Sequence, residues 1–171
     1  MDDFYIDKVL NGDKQAFRYF VIHYKDIAYN LAISIVKDSQ NAEDVVQEAF
    51  IKAFKGLKSF KKDAKFSSWF YRIVVNEAFT YLRKNKIDFA NIDDQKIALA
   101  SEEIKEDQRW VSVQNFMRSL NPKESLVLNL FYLEEKRIAE ISNITRWSTS
   151  NVKVLLHRAR KNLKELLNKD L

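Results

Sequence analysis

The chain has no cysteine, two histidines (His23 and His157), two glycines (Gly12 and Gly56) and one proline (Pro122) in 171 residues. Without cysteine there is no disulfide, thiolate metal site or cysteine nucleophile. Two isolated histidines do not make a histidine-built metal centre, so no metal and no cofactor is expected. A GxxxxGK loop or a GxGxxG fingerprint needs clustered glycines, which removes the phosphate-cradling and dinucleotide-binding classes. All-β domains spend glycine and proline on their many turns, so their scarcity points to an all-α protein. No apolar run approaches the ~20 residues that span a bilayer. The start, Met1-Asp2-Asp3, is acidic and lacks a signal-peptide pattern. No membrane insertion is expected, and the expected location is the cytoplasm.

What is present is a globular composition, with 46% hydrophobic and 31% charged residues. The length suits one large domain or two small ones. The net charge is +5, and it is unevenly spread. Residues 52–86 hold ten Lys/Arg against two acids, and residues 146–169 hold seven against one. Between them, residues 88–107 hold seven acids against two lysines. Paired basic blocks are the electrostatic footprint of nucleic-acid binding, although a solvated helix surface gives the same count.

Helical periodicity organises most of the chain. Asp13 is placed to cap a helix carrying Ala16, Phe17, Phe20, Val21 and Tyr24. Ile27, Leu31, Ile35 and Val36 continue the apolar series, and Lys37-Asp38-Ser39-Gln40 breaks it. Asn41 is the expected cap of a third helix over about 42–57, whose buried stripe is Val46, Ala49, Phe50, Ala53 and Leu57. Residues 58–66 lack a helical period and read as a basic loop. Ser67 is the expected cap of a fourth helix to about Lys84, with Phe66 and Tyr71 as a hydrophobic staple. Residues 87–107 read as a flexible acidic linker between an N-terminal domain, 1–86, and a C-terminal domain, 108–171. In the latter, Trp110, Val113, Phe116, Met117 and Leu120 suggest one helix. Asn121-Pro122-Lys123-Glu124 is a start signal for another, with Leu126, Val127, Leu130 and Phe131 on its apolar face. A short helix over about 137–144, a turn at Thr145-Arg146-Trp147 and a longer helix after Ser148 make a helix-turn-helix pattern.

The last helix divides its residues sharply. At about 100° per residue, Val152, Leu156, Ala159 and Leu163 share one stripe, with Leu155 and Leu166 beside it. Ser150, Lys153, Val154, His157, Lys161 and Lys164 lie opposite, flanked by Arg158 and Arg160. Small polar residues (Thr149, Ser150, Asn151) sit at its start, where the second helix of such a motif meets base edges and its basic residues meet phosphates. An ordinary bundle helix is the bland alternative.

The first basic block differs because aromatics run through it. Lys58, Lys61, Lys62, Lys65, Arg72, Arg83, Lys84 and Lys86 alternate with Phe60, Phe66, Trp69, Phe70, Tyr71 and Tyr81. Cations that track a backbone and rings that stack on bases suit single-stranded or melted DNA. Phe70, Ile73, Val74 and Phe79 read as core, and Trp69 fits either role. Phe60 and Phe66, in or beside the loop, are the better stacking candidates. Asn76 is a polar residue in an apolar helix and can hydrogen-bond a base.

Five segments then match one family in order. Gly12-Asp13 through Ala16-Phe17 resembles the GDxxAF opening of extracytoplasmic-function sigma factors. Residues 42–50, AEDVVQEAF, resemble their AEDxVQExF segment. Phe66 through Ile73, with Asn76 and the YLRK of 81–84, resembles their FxxWLYRIxxN…YLRR helix. Leu120-Asn121-Pro122 with Val127-Leu128 resembles LPxxxRxVLxL, and Val152-Lys153 with Leu156 through Lys161 resembles VKxxLHRARKxL. The resemblance implies a sigma factor with two small helical domains. Its partners would be the β′ and β subunits of bacterial core RNA polymerase, promoter DNA and an anti-sigma factor. It places Asp44, Gln47, Glu48 and Lys52 against the polymerase. It places Phe60, Lys61, Lys62, Lys65, Phe66, Trp69, Arg72, Asn76 and Arg83 at the −10 element. It places Arg146, Ser148, Thr149, Ser150, Asn151, Lys153, His157, Arg158 and Lys161 at the −35 element. Two positions depart from the pattern. Arg146, followed by a bulky Trp147, stands where the family has a turn glycine with positive φ, and Ser125 stands where many members carry Arg.

Two other functions compete. A helix-turn-helix repressor or activator accounts for 137–169 but leaves AEDVVQEAF and the aromatic block unused. A small enzyme or helical adaptor would need facing carboxylates, yet Glu43-Asp44, Asp93-Asp94 and Glu102-Glu103 are adjacent pairs that point apart on a helix. The acidic stretch also has a regulatory reading: in the free protein it would lie against the basic faces and weaken DNA binding at low salt.

Overall fold

A computed structural model describes residues 1–85, 117 and 119–169, with side chains to 165. Among them there are helices and no strand. Helix α1 (Asp2–Leu10) and a 3-10 turn (Lys14–Phe17) lead into α2 (Arg18–Val36), α3 (Ser39–Gly56), a second 3-10 turn (Leu57–Ser59) and α4 (Phe66–Lys84). The second domain contributes α5 (Pro122–Leu128), a wider π turn (Asn129–Leu133), α6 (Ile138–Thr145) and α7 (Thr149–Lys169). The acidic stretch 87–107, and with it Asp93, Asp94, Glu102 and Glu103, lies outside the described residues. So do Trp110, Val113 and Phe116, while Met117 and Leu120 are buried.

Helices α2, α3 and α4 pack on one another around an aromatic lattice. Phe20 meets Phe66 at 4.2 Å between ring centroids, and Phe50 meets Phe70 at 4.6 Å. Leu31, Ile35, Ala49, Ala53, Val74 and Ala78 close the gaps between the rings and are inaccessible to solvent. Small alanines among the rings leave room for them between the helices, and each buried ring adds about 1.5–3 kcal/mol.

The helix ends follow local chemistry, with three corrections. The Asp13 carboxylate accepts from the Ala16 N–H at 3.2 Å as expected, but it caps the 3-10 turn that precedes α2. Between α2 and α3 the cap is Asp38, whose Oδ1 accepts from the Asn41 N–H at 2.8 Å. Asn41 is therefore the donor rather than the cap. Lys37 makes this possible by taking a left-handed conformation (φ 65) that stops α2. Helix α4 begins at Phe66 after an extended Lys65 without a side-chain cap, so Ser67 is already inside it.

Sequence periodicity missed α1 altogether, because Ile6 is its one buried residue. Side-chain contacts tether it instead. Tyr19 and Tyr24 both donate to the Asp2 carboxylate, at 3.1 and 2.7 Å, and Tyr5 stacks on Tyr19 at 3.9 Å. Burial and the Asp2 charge together push the Tyr24 hydroxyl far above its ordinary pKa, keeping it a donor.

In the second domain Asn121 Oδ1 accepts from the Glu124 N–H at 3.0 Å, with Pro122 at the first helical position. The Glu124 carboxylate does not reach back to its cap; it accepts from Asn162 Nδ2 on α7 at 2.8 Å. Val152, Leu155, Leu156 and Ala159 of α7 are buried together with Leu126 and Val127 of α5 and Ile141 and Ile144 of α6. The domains also touch: α4 packs against α6, and α2 against α5.

Candidate nucleic-acid interface

The turn between α6 and α7 is built from hydroxyls. Thr145 Oγ1 donates to the Ile141 carbonyl at 2.8 Å and accepts from the Trp147 N–H at 3.2 Å. Ser142 Oγ donates to the Trp147 carbonyl at 2.6 Å. Arg146 closes α6 in the left-handed conformation, φ 64 and ψ 14, which is the geometry that favours the glycine it replaces. Ser148 Oγ then accepts from the Asn151 N–H at 3.2 Å and starts α7.

Helix α7 presents Thr149, Ser150, Asn151, Lys153, His157, Arg158 and Lys161 to solvent, and Arg146 and Ser148 are exposed beside them. Only Lys161 of this set shares a loose ion pair, 3.9 Å to Glu165, worth little at an exposed site. Arg160 is held back from the face. Its Nε donates to the Tyr132 hydroxyl at 2.8 Å, and its guanidinium lies over the rings of Phe131 and Tyr132. The result is a mostly uncommitted basic surface with small polar residues at its leading end.

Helix α4 is arranged differently. Trp69, Arg72, Asn76 and Arg83 recur at three- and four-residue spacing and share one side. Asn76 and Arg83 are exposed, whereas Trp69 and Arg72 are half-buried. Lys61, Lys62 and Lys65 are exposed in the preceding loop, and Lys62 Nζ pairs with Asp7 Oδ1 of α1 at 2.6 Å. Phe60 and Phe66 correct the expectation made of them. They are 9% and 2% exposed, with Phe60 packed on Trp69 at 5.0 Å and Phe66 on Phe20. A ring held in the core is not free to stack on a base.

The third surface lies on α3. Asp44, Gln47 and Glu48 are exposed, but Lys52 is engaged, donating from Nζ to Glu77 Oε1 of α4 at 2.6 Å. That pair ties α3 to α4, and Lys52 stays exposed beside the other three. Sequence reasoning missed the apolar members of this surface. Ile51 is 46% exposed and Phe54 36%, and on α2 Val21 and Ile22 are exposed as well. Phe54 packs on Phe17 at 5.1 Å, one turn from Val21, so the exposed groups of α2 and α3 adjoin. The signal was legible: Ile51 follows Asp44, Gln47 and Glu48 by seven, four and three residues, the steps of one helix face. Exposed apolar groups rimmed by charge are the composition of a protein-binding surface.

Sequence profiles match this chain twice. Sigma-70 region 2 covers residues 20–87, and Sigma-70, region 4 covers residues 110–163. The ECF RNA polymerase sigma factor SigW of Bacillus subtilis is 32% identical over 95% of this chain and 94% of its own. The chain belongs to the ECF RNA polymerase sigma factors. A further relative, the RNA polymerase sigma factor SigV of Bacillus subtilis, is 30% identical over 88% of this chain and 90% of its own. The sigma factor RpoE of Bartonella quintana, solved with the anti-sigma factor NepR, shares the fold with a TM-score of 0.73. That likeness holds at 21% identity over 91% of this chain and 98% of that one.

This ECF sigma factor directs RNA polymerase to promoters, in a family that is in general not catalytic. Among its described residues no group of three or more His, Cys, Asp or Glu is placed to hold a metal ion, and no helix is long and apolar enough to cross a membrane.

Proposed function

We propose a division of labour within the sigma factor. Residues 1–86 bind core polymerase and hold the opened −10 strand, residues 87–107 link, and residues 108–171 read the −35 element. The observation that carries this is the contrast between the two basic surfaces. Helix α7 offers a continuous polar face with Ser150 and Asn151 leading, suited to a duplex groove, with Lys153, Arg158 and Lys161 on phosphates. Arg146, Ser148, Thr149 and His157 frame that face. Helix α4 offers Trp69, Arg72, Asn76 and Arg83 beside loop lysines 61, 62 and 65, a mixture suited to unpaired bases on a charged track.

Asp44, Gln47 and Glu48, with Ile51 and Phe54 beside them, are the polymerase-binding surface in this reading. Aromatic and aliphatic groups supply the anchor, and the acids supply register and on-rate. The protein works in the cytoplasm without catalytic chemistry of its own, and an anti-sigma factor is a partner, as NepR is of RpoE. In a pull-down with core polymerase, Asp44→Arg with Glu48→Arg is expected to lose binding while circular dichroism stays helical. Full binding by that folded double variant removes α3 from the interface.

A further inference from the structure

Helices α2 and α5 do not close fully on one another. A cavity of about 80 Å³ lies between them, with Ile33 and Ser34 on one wall and Met117, Ser125, Asn129 and Leu133 on the other. Its volume falls between the ~15 Å³ that one water needs and the ~150 Å³ of a cavity that takes a benzene ring. A small organic molecule fits that range.

The polar groups of the walls are unevenly satisfied. Asn129 is 5% exposed, and its Nδ2 donates to the Asn30 carbonyl at 3.2 Å. A carbonyl can only accept, so this bond fixes which way the amide points. The other end, Oδ1, is buried with no hydrogen-bond partner among the described residues. A buried acceptor left unpaired is costly, and it calls for a donor from elsewhere. Ser34 Oγ gives its proton to the Leu31 carbonyl at 2.7 Å and has only lone pairs left to offer. Ser125, 1% exposed, adds a hydroxyl. Ile33, Met117 and Leu133 make the rest of the wall apolar. None of the described residues that line the cavity is charged. Lys37 Nζ stands beside it and donates to the Met117 carbonyl at 3.4 Å. Acceptors on the wall disfavour an anion, and the lysine disfavours a cation.

Two features of the chain bear on this place. Ser125 is the position where many family members carry Arg, and a serine leaves room that a guanidinium would take. Asn129 and Leu133 belong to the π turn, and such turns within helices recur at functional sites.

We propose that the cavity is a binding site for a small uncharged molecule with an N–H or O–H donor on a short apolar body, a primary amide or an alcohol. The donor goes to Asn129 Oδ1, with Ser34 Oγ as a second acceptor. The Ser125 hydroxyl donates to the oxygen of the guest. Its apolar body rests on Ile33, Met117 and Leu133. The site is independent of the DNA-binding readings of α4 and α7.

The methionine content makes a test direct. Met117 lines the cavity, and the other methionine, Met1, is 87% exposed and serves as the reference. The full chain, labelled with ¹³C at the methionine methyls, is titrated with propionamide and followed by NMR. Butanone is the control, with the same shape and a methyl group in place of the amide nitrogen. Propionamide is expected to shift the Met117 signal saturably and leave Met1 in place. Butanone is expected to bind about 5- to 150-fold more weakly, the range for leaving one buried acceptor unpaired. Asn129→Ala is expected to erase that preference, and Ser125→Val, which fills the space, to lose both probes. Circular dichroism checks that the variants fold, and the comparison of the two probes on the parent needs no variant. No saturable shift of Met117, or equal shifts of both methionines, means that the cavity holds water only and overturns the site. Butanone binding as well as propionamide overturns the donor-bearing class of ligand. A preference kept by Asn129→Ala overturns the role of Asn129.

Discussion

Helices α4 and α7 carry the same kinds of residue and use them in opposite ways. On α7 the buried stripe (Val152, Leu156, Ala159) and the exposed basic face are separate, and most of the proposed DNA contacts have no structural duty. On α4 the duties overlap. Trp69 packs on Phe60 and Phe66, and Arg72 bonds the other domain. A helix with segregated faces can be changed in function without loss of stability. A helix with shared faces cannot, because each ring removed leaves a cavity as well as a missing contact.

The sharpest way to break this contrast is at the join of loop and α4. Phe66→Ala removes a ring 2% exposed that touches Phe20 and Phe70, and is expected to cost about 3–5 kcal/mol. Thermal denaturation checks it, and a loss below 1 kcal/mol would return Phe66 to the surface set. A smaller effect is expected at Lys153→Ala: promoter binding by the holoenzyme weakens for all sequences, and the salt slope falls by roughly one ion. Its thermal stability is expected to stay within about 0.5 kcal/mol of the parent, as for surface changes generally. An unchanged slope places Lys153 off the phosphates. The smallest effect is at the turn. Arg146→Gly relieves a left-handed residue and is expected to stabilise by at most about 1 kcal/mol. A loss of stability would mean that the Arg146 side chain does more for the turn than its backbone costs.

Much of this was legible in the chain, and the failures share a cause. The α7 stripe and the Ser148 and Asn121 caps are local patterns, set by residues within four positions of each other. What went unread depends on a partner distant in sequence. Phe60 and Phe66 look exposed among lysines, and the rings of Phe20 and Tyr24 on α2 join Trp69 and Phe70 in burying Phe66. The tie from exposed Lys52 to Glu77 of α4 is likewise invisible to a reading of α3 alone. Helix α1 has too few buried positions for periodicity, and its hold is the Asp2 carboxylate on Tyr19 and Tyr24. The Asp38 cap is a closer miss. Aspartate and asparagine cap equally well, and the left-handed Lys37 decided between them.

The central claim is that α7 recognises closed duplex while α4 holds the opened strand. Run-off transcription with core polymerase, on one promoter presented as full duplex and as a template pre-opened at the −10 element, tests it most directly. On duplex, both Lys153→Ala and Asn76→Ala should be defective. Pre-opening should restore Asn76→Ala towards the parent level, because the cost of unstacking is then already met, and should leave Lys153→Ala impaired. Rescue of Lys153→Ala with no rescue of Asn76→Ala would contradict the account and reverse the roles of the two helices.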